Sequence, residues 1–451
     1  MRIFLSCLFW LANLHFAYAV SLFGGGNVGI PLPSTQTATI QANLASTSFT
    51  IPINFIGASI ELSDAIADNV YVPSNTSLIN VFKALFTGNG CILRYGGSSE
   101  DTTVPPALTQ AIANDIAGFT QNVGCKMHYG LDGYANNPTV AATQAGYIIN
   151  AMGVGNVSFA IGNEPDLWGL GYAAYGTIFN AAEAYVLAVN SSATFEGPEV
   201  ACTGCGGVIQ AYQNATDRTP AQMTAVTGHY YPYGQPTAIP TFQQMTTSCN
   251  NGDFSSYTSY ASNMRINESN AVAGGGLPGL NDRMASASWY ICVSSILAKL
   301  GYIGYSNHNH IGSYYNLYHE NGDTTWTPNP VFYGAYLFTR LLGQTIISTT
   351  NTNLDANASV IATLNSNSKA NILVANNNWT TNLTFKPTET GTWSNGTVLL
   401  LNGASCAEIN PTLGGSSFGE GAAWSGTTTP ITNGQTVTIP PCGAALVSIT
   451  S

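Results

Sequence analysis

Eight short apolar runs, spaced 30 to 39 residues apart, constrain this chain more than any other feature. They begin near Ile53, Cys91, Lys126, Val157, Phe195, Ala225, Met264 and Ile303. Each is followed by Gly, Asn, Asp or Pro, and the spacing is that of a strand–helix unit. The stretches between them carry helical periodicity. Leu108, Ile112, Ile116 and Phe119 step by four, four and three, which predicts one helix face. Ala174 to Val189 predicts a second helix, with Ile178, Ala182, Tyr185 and Val189 on one side. Eight repeats of this kind read as an α/β fold, a (β/α)8 TIM barrel over residues 53–342. The rival, an open doubly wound sheet, would be expected to carry a Gly-x-Gly-x-x-Gly turn that this chain lacks.

The texture changes after Leu342. Val360–Leu364, Asn371–Ala375, Leu383–Phe385, Thr397–Leu401 and Ala445–Ile449 are short β-type runs separated by Gly, Ser, Asn and Thr. Residues 343–451 therefore read as an all-β sandwich. The extended stretch Thr37 to Pro52, within the segment 20–52, is a candidate additional strand of that sandwich. At the start, Arg2, an apolar run from Ile3 to Leu14 and Ala17-Tyr18-Ala19 form the pattern of a signal peptide cleaved after Ala19. Secretion fits eight further cysteines, which predict disulfides without fixing their pairing, and nine Asn-x-Ser/Thr acceptors. Asn267 is excepted as a glycan site, because it adjoins a candidate catalytic glutamate. Cys202-x-x-Cys205 reads as a loop staple or half of two bridges rather than a redox motif. No later segment is apolar for long enough to span a bilayer. Eleven basic against 22 acidic residues argue against nucleic acid, which needs clustered Lys and Arg.

In a barrel of this type the catalytic side chains project from the C-terminal ends of the strands. The fourth strand ends in Gly162-Asn163-Glu164-Pro165, and the seventh in Asn267-Glu268-Ser269. Two carboxyls thus emerge on one face from opposite sides of the barrel mouth. Glycoside cleavage needs such a pair, one to protonate the leaving oxygen and one to attack or activate water. A lone glutamate in a loop is an ordinary solvated charge; the pair on strands four and seven is the informative signal.

The motifs Gly162-Asn163-Glu164-Pro165 and Arg265-Ile266-Asn267-Glu268 resemble the two signatures of the retaining glycosidases with barrel folds. Within that clan the chain is most similar to glycoside hydrolase family 79, the β-glucuronidase and heparanase family. Phe55–Glu61 resembles the first strand of that family and Leu93–Asp101 its second. The resemblance implies Glu164 as general acid/base and Glu268 as nucleophile. It also implies that Asn163 contacts the sugar 2-OH and that Asp101 and Glu61 hold other hydroxyls. This chain departs from the family in having Ser98 where Asn is usual. Ala273-Gly274-Gly275-Gly276 is an ordinary loop by composition; the resemblance raises Gly275 and Gly276 to uronate-binding candidates through exposed backbone N–H groups.

The nucleophile must be ionised, so it needs a charge-stabilising neighbour, for which Arg265, Tyr230 and Tyr231 are candidates. Strand alternation points Arg265 away from it. Tyr230 and Tyr231 at the end of strand six stand level, and Tyr230 is carried forward. Tyr314 and Tyr315 are candidate pocket residues beyond strand eight. Trp168 is either a stacking platform for the leaving group or a packing residue. His308-x-His310 lacks the spacing of a zinc motif, so no metal or cofactor is expected. The reading is a secreted enzyme acting on carbohydrate, removing β-linked glucuronic acid or its 4-O-methyl form with retention. The alternatives are a related β-glycosidase or endo-acting enzyme on other sugars, and a non-catalytic carbohydrate-binding cell-wall protein.

Overall fold

The computed structural model describes residues 36–67, 70–86, 90–101, 108–201, 207–234, 240–257, 260–321 and 324–450. The expected signal peptide and the Cys202–Cys205 pair lie outside these residues. Eight parallel strands close into a barrel: Ile56–Glu61, Ile92–Gly96, Lys126–Leu131, Val157–Ile161, Thr194–Val200, Ala225–Tyr230, Met264–Ser269 and Gly304–Asn309. The first strand starts later than the apolar run, because Ile53 sits in a turn and is exposed.

Alternation along the strands sorts the side chains. Ile60, Tyr95, Tyr129, Phe159, Phe195, Tyr230, Ile266 and Tyr305 belong to the buried apolar layer outside the barrel. The interior carries polar groups instead, including Ser59, Arg94, His128, Glu196, Thr227, Arg265 and His308, all buried. Because polar groups inside must find partners, the interior holds a charge network, and that network positions the site.

The helices follow the periodicity in part. Ile116 and Phe119 are buried on the helix Gln110–Val123, which starts at the Thr109 cap, so Leu108 packs from just outside it. On Tyr172–Val189 the buried face is Tyr175, Ile178, Phe179, Ala182 and Val186. Tyr185 and Val189, expected on that face, are about half exposed; the covering surface of the barrel is displaced by about one residue from the assumed stripe.

Of the remaining strands, Tyr318–Glu320 and Trp326–Pro328 pair as a small antiparallel hairpin, and the other ten form one mixed sheet. It includes Gln36–Thr50, from ahead of the barrel, which pairs antiparallel with Thr345–Thr352 and parallel with Leu383–Glu389. Strands Asn395–Asn402 and Val437–Ile439, far apart along the hydrogen-bonded path, touch each other. The sheet thus folds over a core of Ile40, Ile372, Val374, Phe385 and Val447. The opposite face of its central strands, with Ile361, Leu373 and Leu446, joins the barrel core. The strand Ala370–Asn376 is consequently buried at every position. The helix Ala285–Lys299, against which it packs, is buried on nearly every side. Three disulfides, Cys91–Cys125, Cys249–Cys292 and Cys406–Cys442, occur among the described residues. No helix among them is long and apolar enough to cross a membrane.

Candidate active site

A cleft of about 570 Å³ opens at the C-terminal ends of the strands. Its walls include Glu61, Asn163, Glu164, Tyr231, Glu268 and His308, with Ala273, Gly274 and Gly275 along one side. Glu164 and Glu268 each present a carboxylate oxygen within 4.8 Å of the other and of a His229 ring nitrogen.

Glu268 is seated from below. Arg94 on the second strand is fully buried, and its Nη1 donates to Glu268 Oε2 at 2.6 Å and to Ser59 Oγ at 2.8 Å. The Tyr231 hydroxyl donates to Glu268 Oε1 at 2.8 Å. His308 Nδ1 and His229 Nδ1 stand 3.7 and 4.0 Å from Oε2. Burial alone would raise the Glu268 pKa, but His308, His229, Arg94 and the Tyr231 hydroxyl hold it down at about 2. The group is therefore ionised across the ordinary pH range.

Arg94 does more than neutralise one carboxylate. Its Nη2 donates to Asn163 Oδ1 at 2.8 Å and to Glu199 Oε2 at 2.6 Å. The amide oxygen of Asn163 is thereby engaged below, at the edge of the cleft that Asn163 lines. Gly96 permits this arrangement, since a Cβ there would meet the Arg94 guanidinium carbon at 2.7 Å. Glu199 in turn takes a second Arg94 bond at 3.2 Å, an ion pair with His128 Nε2 at 2.6 Å, and the Asn267 amide. His128 Nδ1 stands 2.8 Å from Glu196. Burial disfavours a charged His128, yet Glu196 and Glu199 raise its pKa to about 9. Glu199 is held far below the usual carboxylate range: burial opposes this, and Arg94 and His128 outweigh it.

Two backbone irregularities aim these residues. The register of strands six and seven slips between Gly228/Ile266 and His229/Glu268, an extra residue that lets Asn267 and Glu268 both serve the barrel interior. A similar slip at strand five accompanies a positive φ of 56° at Glu199, so Glu196 and Glu199 both face inward despite their odd separation. Glu164 also has a positive φ, 49°, a conformation that costs a side-chain-bearing residue about 1–3 kcal/mol and concentrates at functional sites. Its N–H donates to the Glu199 carbonyl at 3.0 Å, and its Oε1 pairs with His229 Nδ1 at 2.9 Å. His229 has its pKa raised: burial works against the charge, and Glu268 and Glu164 outweigh it.

The other expected residues are distributed as follows. Glu61 lines the cleft; it accepts bonds from the Ser99 N–H and hydroxyl and stands 3.3 Å from His308 Nε2. Its pKa is lowered; burial opposes this, and the His308 and Ser99 contacts prevail. Asp101 does not line the cleft. Its Oδ2 accepts the Asn163 N–H at 2.9 Å and the Trp168 indole N–H at 3.2 Å, which ties it to the Glu164 loop. Trp168 packs against Tyr134 and Tyr175. Tyr230 faces outward, its hydroxyl on the Ser248 carbonyl at 2.6 Å; alternation gives the inward place to Tyr231. Gly275 lines the cleft, whereas Gly276 lies against Asn281 outside it. Tyr315 lines the cleft, and Tyr314 lines an adjoining cavity instead. Arg265 stands 3.7 Å from Glu196, one layer below the site. His308 and His310 face different partners, Ser59 with Glu61 and Asp64 respectively. Among the described residues, Glu164, His229 and Glu268 are the group whose donor atoms could converge on a metal ion.

The architecture recurs in solved glycosidase structures. A 4-O-α-L-rhamnosyl-β-D-glucuronidase from Fusarium oxysporum superposes with a TM-score of 0.67 at 16% identity, covering 91% of this chain and 100% of the other. A family 51 arabinofuranosidase from Xanthomonas axonopodis pv. citri gives 0.68 at 13%, covering 92% and 100%. A bifunctional glucanase-xylanase from a metagenome library gives 0.63 at 12%, covering 93% and 100%. The likeness is one of fold. No protein-family model and no curated protein matches the sequence.

Proposed function

We propose that the chain is a secreted retaining glycoside hydrolase in which Glu268 is the nucleophile and Glu164 the acid/base. The observation that carries this is the pair of carboxylates within 4.8 Å across an open cleft, the short separation that double displacement needs. Their surroundings differ. Glu268 is held ionised by Arg94, Tyr231 and two histidines. Glu164 is the more exposed of the two and meets His229.

In the first step a Glu268 oxygen attacks the anomeric carbon while Glu164 gives its proton to the leaving oxygen. The product is a glycosyl ester on Glu268. Esterification removes the negative charge that raises the proton affinity of His229, and Glu164, now ionised, takes a proton from the incoming water. The second step breaks the ester and regenerates both groups. Asn163, fixed through its oxygen by Arg94, meets the sugar hydroxyl beside the reacting carbon.

The sugar we propose is β-linked glucuronic acid or its 4-O-methyl form. Support comes from the motif resemblance, from the fold shared with a glucuronidase and from the Ala273–Gly275 wall. One observation favours a neutral sugar instead. Three carboxylates, Glu61, Glu164 and Glu268, line the cleft, and no Lys or Arg does among the described residues. A panel of 4-nitrophenyl β-glucuronide, β-glucoside and α-arabinofuranoside separates the two. A glucuronide preference of at least tenfold supports the uronate reading, and equal rates on the first two overturn it.

A further inference from the structure

The loop that carries Glu164 also carries an apolar surface that the chemistry above leaves unused. Directly after Glu164, Leu167, Leu170 and Tyr172 are 68, 50 and 57% exposed, and Tyr134 on the neighbouring loop is 53% exposed. No charged side chain occurs from Leu167 to Asn180. Single exposed apolar residues need no explanation, but three within six residues, directly after the candidate acid, do.

The surface is braced. The Leu167 N–H donates to the Glu164 carbonyl at 2.8 Å, and Asp166 accepts the Ala201 N–H at 2.9 Å. The Trp168 indole is tied to Asp101 and to the Asn163 carbonyl. Five rings run in sequence, Tyr134–Trp168–Tyr175–Tyr212–Tyr172, with centroids 5.7, 5.9, 5.5 and 6.4 Å apart. The Tyr212 hydroxyl donates to the Pro165 carbonyl at 3.3 Å. The two exposed tyrosines are thus the ends of a packed belt around the Glu164 loop. Such a platform costs little ordering entropy when a ligand lands on it.

Position names the occupant. A general acid stands beside the leaving oxygen, so the leaving group passes over the surface next to that acid. We infer that Tyr134, Leu167, Leu170 and Tyr172 form a leaving-group platform that selects glycosides with an apolar, aromatic aglycone. Tyrosine rings alone would also suit a second sugar. The two leucines offer a sugar no hydrogen bond, and they favour an aryl group over a glycan chain. This inference rests on Glu164 being the acid.

The test compares kcat/KM for 2-naphthyl and methyl glycosides of one sugar, chosen from the panel above. Each variant is referred to the parent enzyme on each substrate, so the intrinsic reactivity of the leaving groups cancels. Leu167→Ser and Leu170→Ser should each lower the naphthyl-to-methyl ratio about five- to tenfold, mainly through KM, the order that covering the exposed half of one leucine supplies. Val189→Ser, about half exposed at the far end of the helix Tyr172–Val189, should leave the ratio at its parental value. An unmoved ratio overturns the inference. So does a larger loss on a disaccharide than on the naphthyl glycoside, or a dimer that the leucine substitutions dissociate. Glu164→Ala separates the two levels. It should slow alkyl glycosides far more than activated aryl ones; if both slow equally, the acid assignment fails, whereas an unmoved ratio with that signature intact sinks the platform alone.

Discussion

Replacing Tyr231 by Phe removes one hydroxyl from the site and leaves the ring. That hydroxyl donates to Glu268 Oε1 at 2.8 Å, and its own pKa is raised well above the phenol range by burial and by Glu268, so it stays protonated as a donor throughout. A hydrogen bond to a charged group contributes about 1.5–3 kcal/mol. Losing it leaves one lone pair of a buried carboxylate unmet and raises the Glu268 pKa from about 2 towards that of a free carboxylate. The attacking oxygen is also less well oriented. The share of the loss that falls on the transition state lowers kcat/KM, by about 10- to 150-fold if it is the whole; the share that falls on the resting carboxylate moves the acid limb of the pH–rate profile upward, by about one to two units if it is the whole. Tyr230→Phe is the matched control. Its hydroxyl meets the Ser248 carbonyl outside the barrel, so its loss should cost about 1 kcal/mol of stability, a fall of about 1–2 °C in Tm for a chain this size, with kcat/KM within twofold of the parent. The assay is hydrolysis of a 4-nitrophenyl glycoside from pH 3 to 8, with thermal denaturation alongside. If Tyr230→Phe costs as much activity as Tyr231→Phe, the placement of the nucleophile between Arg94 and Tyr231 is wrong.

The interior network makes stability depend on pH. His128 has a folded pKa of about 9, so its contribution is full below about pH 6.5 and is lost as pH rises through 9. Asp101, raised to about 7 by burial, destabilises the fold once pH exceeds the unfolded carboxylate pKa. Glu196, held at about 2, contributes above about pH 4.5 and loses that contribution as pH falls through 2. Tm should therefore peak between about pH 4.5 and 6.5 and decline on both sides; a maximum above pH 8 would contradict the network. Glu199→Gln leaves Arg94 and His128 short of an anion and should cost about 3–5 kcal/mol in urea unfolding; a loss under 1 kcal/mol would show that Glu199 is not the hub described. Asp101→Asn should lower kcat/KM more than tenfold through the Glu164 loop, with inhibition by the free sugar within about threefold of the parent; a selective loss of sugar affinity would instead make Asp101 a ligand contact.

Much of the barrel is legible because its period is coarse. A strand every 30 to 39 residues survives errors of a few residues at each boundary, and strand-end glutamates inherit their direction from that frame. The finer geometry depends on features without a period. Tyr231 could have been chosen by alternation from His229, which must face inward to meet Glu164. Arg94 sits in the second-strand motif, but only its burial beside Glu268 and Glu199 shows what it holds. Glu199 lies three residues from Glu196, a spacing that assigns the two to opposite faces unless a bulge and a left-handed backbone intervene. Glu268 follows Asn267 inward for the same kind of reason. Asp101 has the residue type of a sugar ligand, but the backbone N–H groups it satisfies leave no trace in the sequence.

The most direct measurement is covalent trapping. The enzyme is incubated with an activated 2-deoxy-2-fluoro glycoside of its preferred sugar, digested, and the labelled peptide sequenced by mass spectrometry. The account predicts one sugar residue, ester-linked to Glu268, in the peptide that also holds Asn267. A label on Glu164, or no covalent adduct while turnover is blocked, would contradict it.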